Sequence, residues 1–171
     1  MKKLFYPAIF HKEDDGFWVS FPDFPECLTE GDNMEQAYDM AVDALGLAIT
    51  SRKEEKEEIP SPSDPDVIDA DGGIITVICF DMMEYLKRNL LQGKYKEAED
   101  ICKSMDDNSI RDMIMTIAYD TENICVYCFI QYMIQRTGKV SWIELAIDIM
   151  LNPLCFIEGA YSVALYHARE L

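Results

Sequence analysis

The chain has 171 residues, of which 49% are hydrophobic, and this proportion indicates a folded core and argues against a disordered chain. Its formal net charge is −17, and such an acidic chain repels phosphate backbones, so direct nucleic-acid binding is not expected. The apolar runs are shorter than the roughly 20 residues needed to span a bilayer. The N-terminus also lacks the apolar middle of a signal peptide, so we expect a cytoplasmic protein that does not contact membranes.

The N-terminal part begins with three predicted strands. Residues 3–10 and 17–21 alternate as strands do and are joined by an Asp-Gly turn, and residues 26–30 predict a short third strand. Within residues 17–21, Trp18 lies on the opposite face from the two phenylalanines and the valine. Pro7 in the first strand is typical of an edge position or a bulge.

A helix, a loop and a fourth strand follow. Residues 33–53 have apolar side chains at helical spacing, and Asp32 with Glu35 predicts a capping box at the start of that helix. Residues 59–73 hold three prolines and four aspartates, which is typical of an extended loop. The β-branched run of residues 74–80 predicts a strand that is buried on both faces.

The rest of the chain has a helical period from residue 81 onward. Residues 122–136 are apolar almost all round and predict a central buried helix, Ser141 with Glu144 predicts another capping box, and residues 154–170 predict the last helix. Short connections between these segments imply antiparallel neighbours.

The predicted fold class is therefore α+β, with two domains. Residues 1–80 form a β-β-β-α-β domain, and residues 81–171 form an all-α bundle of antiparallel helices.

Six short segments of the N-terminal half have the order and spacing of a known family. They are Tyr6–Ile9, Glu13–Val19, Phe21–Pro25, Cys27–Asp32, Glu35–Ala37 and Ile59–Ser63. Together they resemble the HicB antitoxin family of bacterial toxin–antitoxin pairs, and Asp81–Tyr85 is similar to that family's exit from its last strand. The resemblance covers about half of the chain.

The resemblance implies a partial ribonuclease-H-like fold with no catalysis and no cofactor of its own. It implies binding to a small basic toxin that cleaves messenger RNA, with the toxin's active site occluded. The charge of residues 1–72 agrees with a basic partner, because 6 Lys/Arg and 18 Asp/Glu give a balance of −12. Two features depart from the family. Glu26 stands where a glycine is usual, and the tail lacks a basic DNA-recognition helix.

Five residues of the N-terminal part are candidates for contact with a partner. Tyr6 and Trp18 are aromatic residues of the kind that anchor interfaces, and the alternative is that they cover the second face of a half-buried sheet. The carboxylates of Asp23, Glu26 and Glu30 face either the toxin or only water.

The sequence predicts no catalytic or metal-binding residue. The turn acids do not lie at strand positions where carboxylates would converge on a metal ion. Cys27 would need a placed histidine to act as a nucleophile, and neither His11 nor His167 can be tied to it by sequence. The Cys125–Cys128 pair lies in an apolar helical run and is interpreted as core packing, since a zinc site would need a second ligand pair.

Two classes of binding function, and a third option that is catalytic, therefore remain open for the whole chain. One is an antitoxin-like protein that binds a small basic toxin. The other is a structural or assembly module in which the helical tail forms a homo-oligomer and the first domain has no toxin partner. Residues 91–98 weakly resemble part of a tetratricopeptide-type helix, which suits protein binding by the tail. A third option is a small hydrolase that uses Cys27 or the turn acids.

Overall fold

The N-terminal unit is an antiparallel sheet with one long helix. The computed structural model describes residues 3–171 and divides into two compact units between Tyr85 and Leu86. The sheet has the strand order β3-β2-β1-β4. Its strands are β1 Leu4–Glu13, β2 Gly16–Phe21, β3 Phe24–Gly31 and β4 Ile74–Phe80, and helix α1 Met34–Glu54 comes between β3 and β4 in the chain. These elements confirm the α+β class, and the ribonuclease-H-like assignment stays a prediction.

Helix α1 covers one face of this sheet. Successive side chains of a strand point to opposite faces, and Tyr6, Ala8 and Phe10 of β1 lie on the covered face, where they are buried. The buried apolar residues of α1 are Ala37, Ala41, Leu45 and Ile49. A Cβ atom built on Gly31 would lie 2.7 Å from the Ala37 Cα, so only glycine fits where β3 meets α1. The helix stripe predicted by the sequence is therefore the one that packs on the sheet.

The N-terminus of α1 is capped by Asn33, so the predicted Asp32 cap is wrong by one residue. The Asn33 side chain accepts a hydrogen bond from the Gln36 N–H, and the Gln36 side chain accepts one from the Asp32 N–H, both at 3.0 Å. Glutamine replaces the predicted Glu35 as the second member of the pair, because glutamine and glutamate serve equally in this motif.

Pro7 lies in β1, which is between β2 and β4 in the sheet. The pairing of β1 with β2 starts at Ile9, so at Pro7 the strand is paired only with Val77 of β4. Pro7 therefore has the edge position that the sequence allowed, and its missing N–H is tolerated there. β4 is an edge strand. Its Ile74 and Val77 side chains are exposed, so the prediction of a strand buried on both faces is wrong.

The second unit, Leu86–Leu171, is built from helices. They are α2 Met82–Leu91, which begins in the first unit, α3 Tyr95–Lys103, α4 Asp107–Thr121, α5 Ile124–Thr137, α6 Val140–Leu151 and α7 Ala160–Ala168. Helix α6 packs on α4, α5 and α7, and α5 also packs on α3. The fully buried Phe129 ring of α5 lies 5.8 Å from the Trp142 ring of α6 in an edge-to-face contact. This aromatic pair stands at the centre of the second core.

Several predictions for the second unit are wrong in detail. Helix α5 buries only one stripe of side chains, and Ile124 is exposed, so the prediction of a helix buried all round is wrong. Cys128 is also exposed, so its thiol is not part of the core as predicted. Lys139 precedes α6 without a side-chain cap, so the Ser141 capping box is also wrong. Helix α7 begins at Ala160, later than predicted, because a series of turns comes first.

Glu99 is a buried carboxylate that joins α3 to α5. It accepts hydrogen bonds from the Tyr132 hydroxyl at 2.7 Å and the Arg136 guanidinium at 3.3 Å, and Lys103 Nζ lies 3.5 Å away. Burial by itself would raise the pKa of Glu99. The hydrogen bonds and the two positive charges outweigh burial and hold that pKa below its ordinary value. The cluster therefore stabilises the folded unit with Glu99 ionised.

Replacing Glu99 with glutamine is expected to lower the free energy of unfolding at neutral pH by about 1–2 kcal/mol, because charge-assisted hydrogen bonds become neutral ones. Since folding lowers this pKa, the wild-type carboxylate stabilises the fold above its unfolded pKa of about 4.3. That contribution is lost as the pH falls through the folded-state pKa. Urea unfolding between neutral pH and about pH 3 should show this acid-dependent loss in the wild type and a smaller loss in the variant.

The control for this prediction is Glu144→Gln, which removes the charge of an exposed carboxylate on α6 of the same unit. Its unfolding free energy should follow the wild type at every pH. Equal pH dependence of the Glu99 and Glu144 variants would contradict the assignment of the effect to the Glu99 cluster.

No helix among residues 3–171 combines the length and apolarity that crossing a membrane requires.

Candidate protein-binding surface

The face of the sheet opposite α1 carries exposed apolar side chains. We call this surface the open sheet face and define it by Phe5, His11, Trp18, Leu28, Glu30 and Val77. Strand register places them together, because Ile9 is opposite Ser20, Ser20 is opposite Leu28, and Pro7 is opposite Val77. Leu28 is 64% exposed and Phe5 is 52% exposed, although both side chains are large and apolar. An exposed apolar face of this kind is typical of a protein-interaction surface.

Trp18 is held in a fixed orientation at the end of the open sheet face that is nearest the β1–β2 turn. Its ring stacks on the His11 ring of β1 with centroids 3.8 Å apart and an interplanar angle of 9°. Glu30 of β3 is directly opposite Trp18 on the other side. Trp18 keeps 37% of its surface exposed despite these contacts. A rigid, half-exposed tryptophan loses little conformational freedom on binding a partner, which favours affinity.

A small hollow with acidic walls adjoins the open sheet face. Its volume is about 210 Å³, and it lies where the β1–β2 turn meets the end of β3. The carboxylate residues that line it are Glu13, Asp15, Glu30 and Asp32, and Phe17 and Trp18 complete the wall. We call this feature the acidic hollow. A lysine or arginine side chain fits its charge and its aromatic wall.

Asp23 is engaged within the unit. Its carboxylate accepts hydrogen bonds from the Ser63 N–H at 3.1 Å and from the Ser63 hydroxyl at 2.5 Å. These bonds fasten the loop before β4 to the β2–β3 turn, 40 residues away in the sequence. The structure therefore gives Asp23 a role in holding the loop, which the sequence analysis did not foresee.

Tyr6 packs on the ring of Phe24, and Glu26 is bonded to Arg52, which lies over the same ring. The Arg52 guanidinium of α1 donates to the Glu26 carboxylate at 2.7 Å, and this hydrogen bond holds the pKa of Glu26 below its ordinary value. The same guanidinium lies 5.2 Å from the centre of the Phe24 ring. Tyr6 packs edge-on against Phe24 and donates to the Pro60 carbonyl at 2.7 Å. Tyr6 is 1% exposed, so its side chain belongs to the core.

The structure brings two of the five candidate residues together. Trp18 and Glu30 are neighbours on the open sheet face. The other three lie elsewhere: Tyr6 and Asp23 are bonded to the loop before β4, and Glu26 is bonded to Arg52 of α1. The sequence analysis missed four residues of the surface, namely Phe5, His11, Leu28 and Val77. The alternation of β3 could have identified Leu28, because it shares its parity with Glu30 and not with the buried Cys27.

The nucleophile and metal alternatives find no support in the site geometry. Cys27 is buried. Its burial, and to a smaller extent the nearby charge of Glu26, raises the pKa of the thiol to about 12. The thiolate that a cysteine nucleophile needs is therefore disfavoured at neutral pH. In the described residues 3–171, no group of three or more His, Cys, Asp or Glu side chains is arranged to hold a metal ion.

A comparison with known families matches the N-terminal part of the chain. A family model described as "HicB_like antitoxin of bacterial toxin-antitoxin system" matches residues 5–79. Residues 5–79 are therefore similar to this family, and we call them the HicB-like domain. All strands of the sheet and α1 lie within or at the edges of the match, and so do the open sheet face and the acidic hollow. The match ends before the helical unit, so the HicB-like domain is the part of the chain that the comparison identifies.

Individual relatives cover the HicB-like domain only. "Antitoxin HicB 1" of Photorhabdus laumondii is 46% identical over 63 residues, which is 36% of this chain and 41% of the relative. "Antitoxin HicB" of Escherichia coli K12 is 44% identical over 50 residues, which is 29% of this chain and 36% of the relative. The chain therefore spans less than half the length of these curated relatives.

A solved structure with a similar chain is the "Toxin-Antitoxin complex from Streptococcus pneumoniae". Its TM-score is 0.44 at 26% sequence identity, and the alignment covers 49% of this chain and 73% of that one.

Proposed function

We propose that the HicB-like domain is the partner-binding part of an antitoxin. It binds a small basic toxin that cleaves messenger RNA, and it neutralises that toxin by occluding the active site. The observation that carries the proposal is the open sheet face with the acidic hollow beside it, inside the segment that matches the antitoxin family. Trp18 is the anchor of this interface, and Glu30 is the charged residue beside it that also lines the hollow.

The charge of the chain supports a basic partner. The net charge is −17, and residues 1–72 contribute −12 of it through 18 Asp/Glu against 6 Lys/Arg. Opposite charges speed association and align the two proteins, and their effect falls with added salt. The same negative charge disfavours binding of the chain to RNA or to operator DNA. The proposed partner is therefore the toxin protein and not its nucleic-acid substrate.

Occlusion requires no chemistry from the HicB-like domain. The domain offers an apolar surface, a fixed tryptophan and an acid-lined hollow, all of which bind and none of which reacts. A basic side chain in the acidic hollow would exchange its hydration for four carboxylates. If that side chain belongs to the RNA-binding surface of the toxin, binding competes directly with RNA. We therefore propose a non-catalytic inhibitor.

The test is binding to the purified product of the short open reading frame beside the gene, measured by calorimetry at several salt concentrations. Reversal of three acids of the hollow, Glu13→Lys, Asp15→Lys and Glu30→Lys, is expected to weaken binding by about 30-fold or more, because like charges would meet. Inhibition of RNA cleavage by that product should weaken in parallel.

The matched control reverses three exposed acids near the end of α1, namely Glu54, Glu55 and Glu57, to lysine. It changes the net charge of the chain by the same amount and leaves the hollow intact, so binding should fall by less than about fivefold at physiological salt. Equal losses in both variants would show that only net charge matters. Absence of any binding would favour the alternative function, a structural module without a toxin partner.

A further inference from the structure

Two cysteines lie one turn apart at the start of α5. Cys125 is the second residue of the helix and is half-buried, and Cys128 is three residues further on and exposed. Residues three apart on a helix are neighbours on its surface, with Cβ atoms about 5–6 Å apart. All six cysteines of the chain lie in its described part as free thiols, and Cys128 is the exposed one. A second thiol therefore lies beside the most accessible thiol of the chain.

The buried cysteines Cys27 and Cys102 are in a different chemical situation. Burial, and to a smaller extent a nearby glutamate, raises the pKa of each of these thiols to about 12. Their reactive thiolate form is therefore scarce at neutral pH. Cys128 is not enclosed in this way, so small molecules in solution reach its sulfur.

The Tyr95 side chain of α3 lies beside the same pair of cysteines. Its hydroxyl is 3.4 Å from the Cys125 carbonyl oxygen. Burial raises the pKa of this hydroxyl, and the charges of Cys128 and Cys125, together with a hydrogen bond to Cys128, raise it further. Both thiols are therefore close to one hydroxyl. That hydroxyl can donate to a Cys128 thiolate and stabilise it.

The first turn of α5 has the geometry that brings these two side chains into line. A disulfide needs Cβ atoms about 3.5–4.5 Å apart, so the pair must approach by about 1–2 Å. The Val126 N–H donates to the Asn123 carbonyl at 3.1 Å, which is the three-residue hydrogen bond of a 3₁₀ turn. Side chains three residues apart eclipse each other in 3₁₀ geometry. Extension of this turn by a few residues aligns Cys125 with Cys128.

We propose that Cys125 and Cys128 are a redox-active dithiol that closes to an intramolecular disulfide by exchange with a small-molecule disulfide such as oxidised glutathione. The exposed Cys128 thiolate attacks one sulfur of that disulfide, a mixed disulfide forms, and one glutathione leaves as its thiolate. The Cys125 thiolate then attacks the Cys128 sulfur and releases the second glutathione. The two cysteines lose two electrons and two protons, and the two glutathiones gain them.

The position of the pair predicts a reversible disulfide. Exposed disulfides are the ones that cellular thiols reduce readily, whereas enclosed structural disulfides resist reduction. Cys128 remains at the surface, so the pair should follow the ratio of oxidised to reduced glutathione. The dithiol lies in the helical unit, outside the residues 5–79 that match the antitoxin family. The proposal is therefore independent of toxin binding.

The test incubates the full chain in glutathione buffers of increasing oxidised fraction. Acid stops the exchange, the remaining thiols are alkylated in denaturant, and the peptides are mapped by mass spectrometry. The fraction of wild type with a Cys125–Cys128 disulfide should rise from below about 10% to above about 50% along the series. Excess dithiothreitol should return it to the dithiol. Cys27 and Cys102 should be recovered as alkylated thiols throughout, because both are buried.

Three variants separate the roles of the two thiols. Cys125→Ser should stop at the mixed disulfide, with one glutathione on Cys128. Cys128→Ser should take up glutathione at least about tenfold more slowly, because only the half-buried Cys125 remains of the pair. Cys155→Ser, which removes a half-buried cysteine outside the pair, should close as the wild type does. Circular dichroism of each variant establishes that the helices remain folded.

Three results would overturn the proposal. The first is a wild type that shows no Cys125–Cys128 disulfide at any glutathione ratio. The second is a wild type that keeps glutathione on Cys128 without closing the pair. The third is oxidation that links two chains through Cys128, which non-reducing electrophoresis detects.

Discussion

Replacing Trp18 with alanine is expected to weaken the proposed toxin complex by about 2–4 kcal/mol, which is roughly a 30- to 1,000-fold rise in Kd. Trp18 lies where the open sheet face meets the acidic hollow, stacked on His11 and opposite Glu30. An aromatic anchor that is already oriented carries more binding free energy than the residues around it. Calorimetry with the adjacent-frame product should show the loss, and RNA cleavage should resume at antitoxin concentrations that silence it in the wild type.

The Trp18→Ala variant should remain folded, since Trp18 is 37% exposed and lies outside the core between the sheet and α1. The control is Tyr119→Ala, which removes an aromatic ring of 57% exposure from α4 in the helical unit. The Tyr119 variant should bind as the wild type does. Comparable weakening by both variants would move the interface away from the open sheet face.

The sequence predicted the elements of the HicB-like domain better than their surroundings. Alternation identified β2 and placed Trp18 on the face opposite Val19, and the helical stripe of α1 is the one that packs on the sheet. The β4 prediction failed because an apolar, β-branched run indicates a strand but does not say how many of its faces another element covers. Its edge position depends on the long-range pairing with β1.

The candidate site was only partly predictable because it too depends on contacts between residues far apart in the sequence. Trp18 follows from local alternation, but its neighbour Glu30 follows from the register between β2 and β3, which no local pattern states. The acidic hollow forms because the β1–β2 turn folds back beside the end of β3. Asp23 looks like a free surface acid in the sequence and is instead bonded to Ser63, 40 residues away. Contacts over such separations require the structure.

Replacing Phe129 with alanine is expected to lower the free energy of unfolding of the helical unit by about 3–5 kcal/mol. The ring is fully buried and packs against Trp142 and Tyr95, so its removal leaves a cavity and ends an edge-to-face contact. Urea unfolding followed by the fluorescence of Trp142 reports on this unit. The control is Phe156→Ala, whose ring is exposed and whose loss should cost less than about 0.5 kcal/mol.

This variant also tests whether the HicB-like domain alone accounts for toxin binding. We assign toxin binding to the HicB-like domain, and the division between Tyr85 and Leu86 places most of the helices in a different compact unit. At urea concentrations where Phe129→Ala has lost its helical unit, toxin affinity should remain within about threefold of the wild type. If toxin affinity instead falls together with the helical unit, the tail takes part in recognition and the HicB-like domain is not sufficient for it.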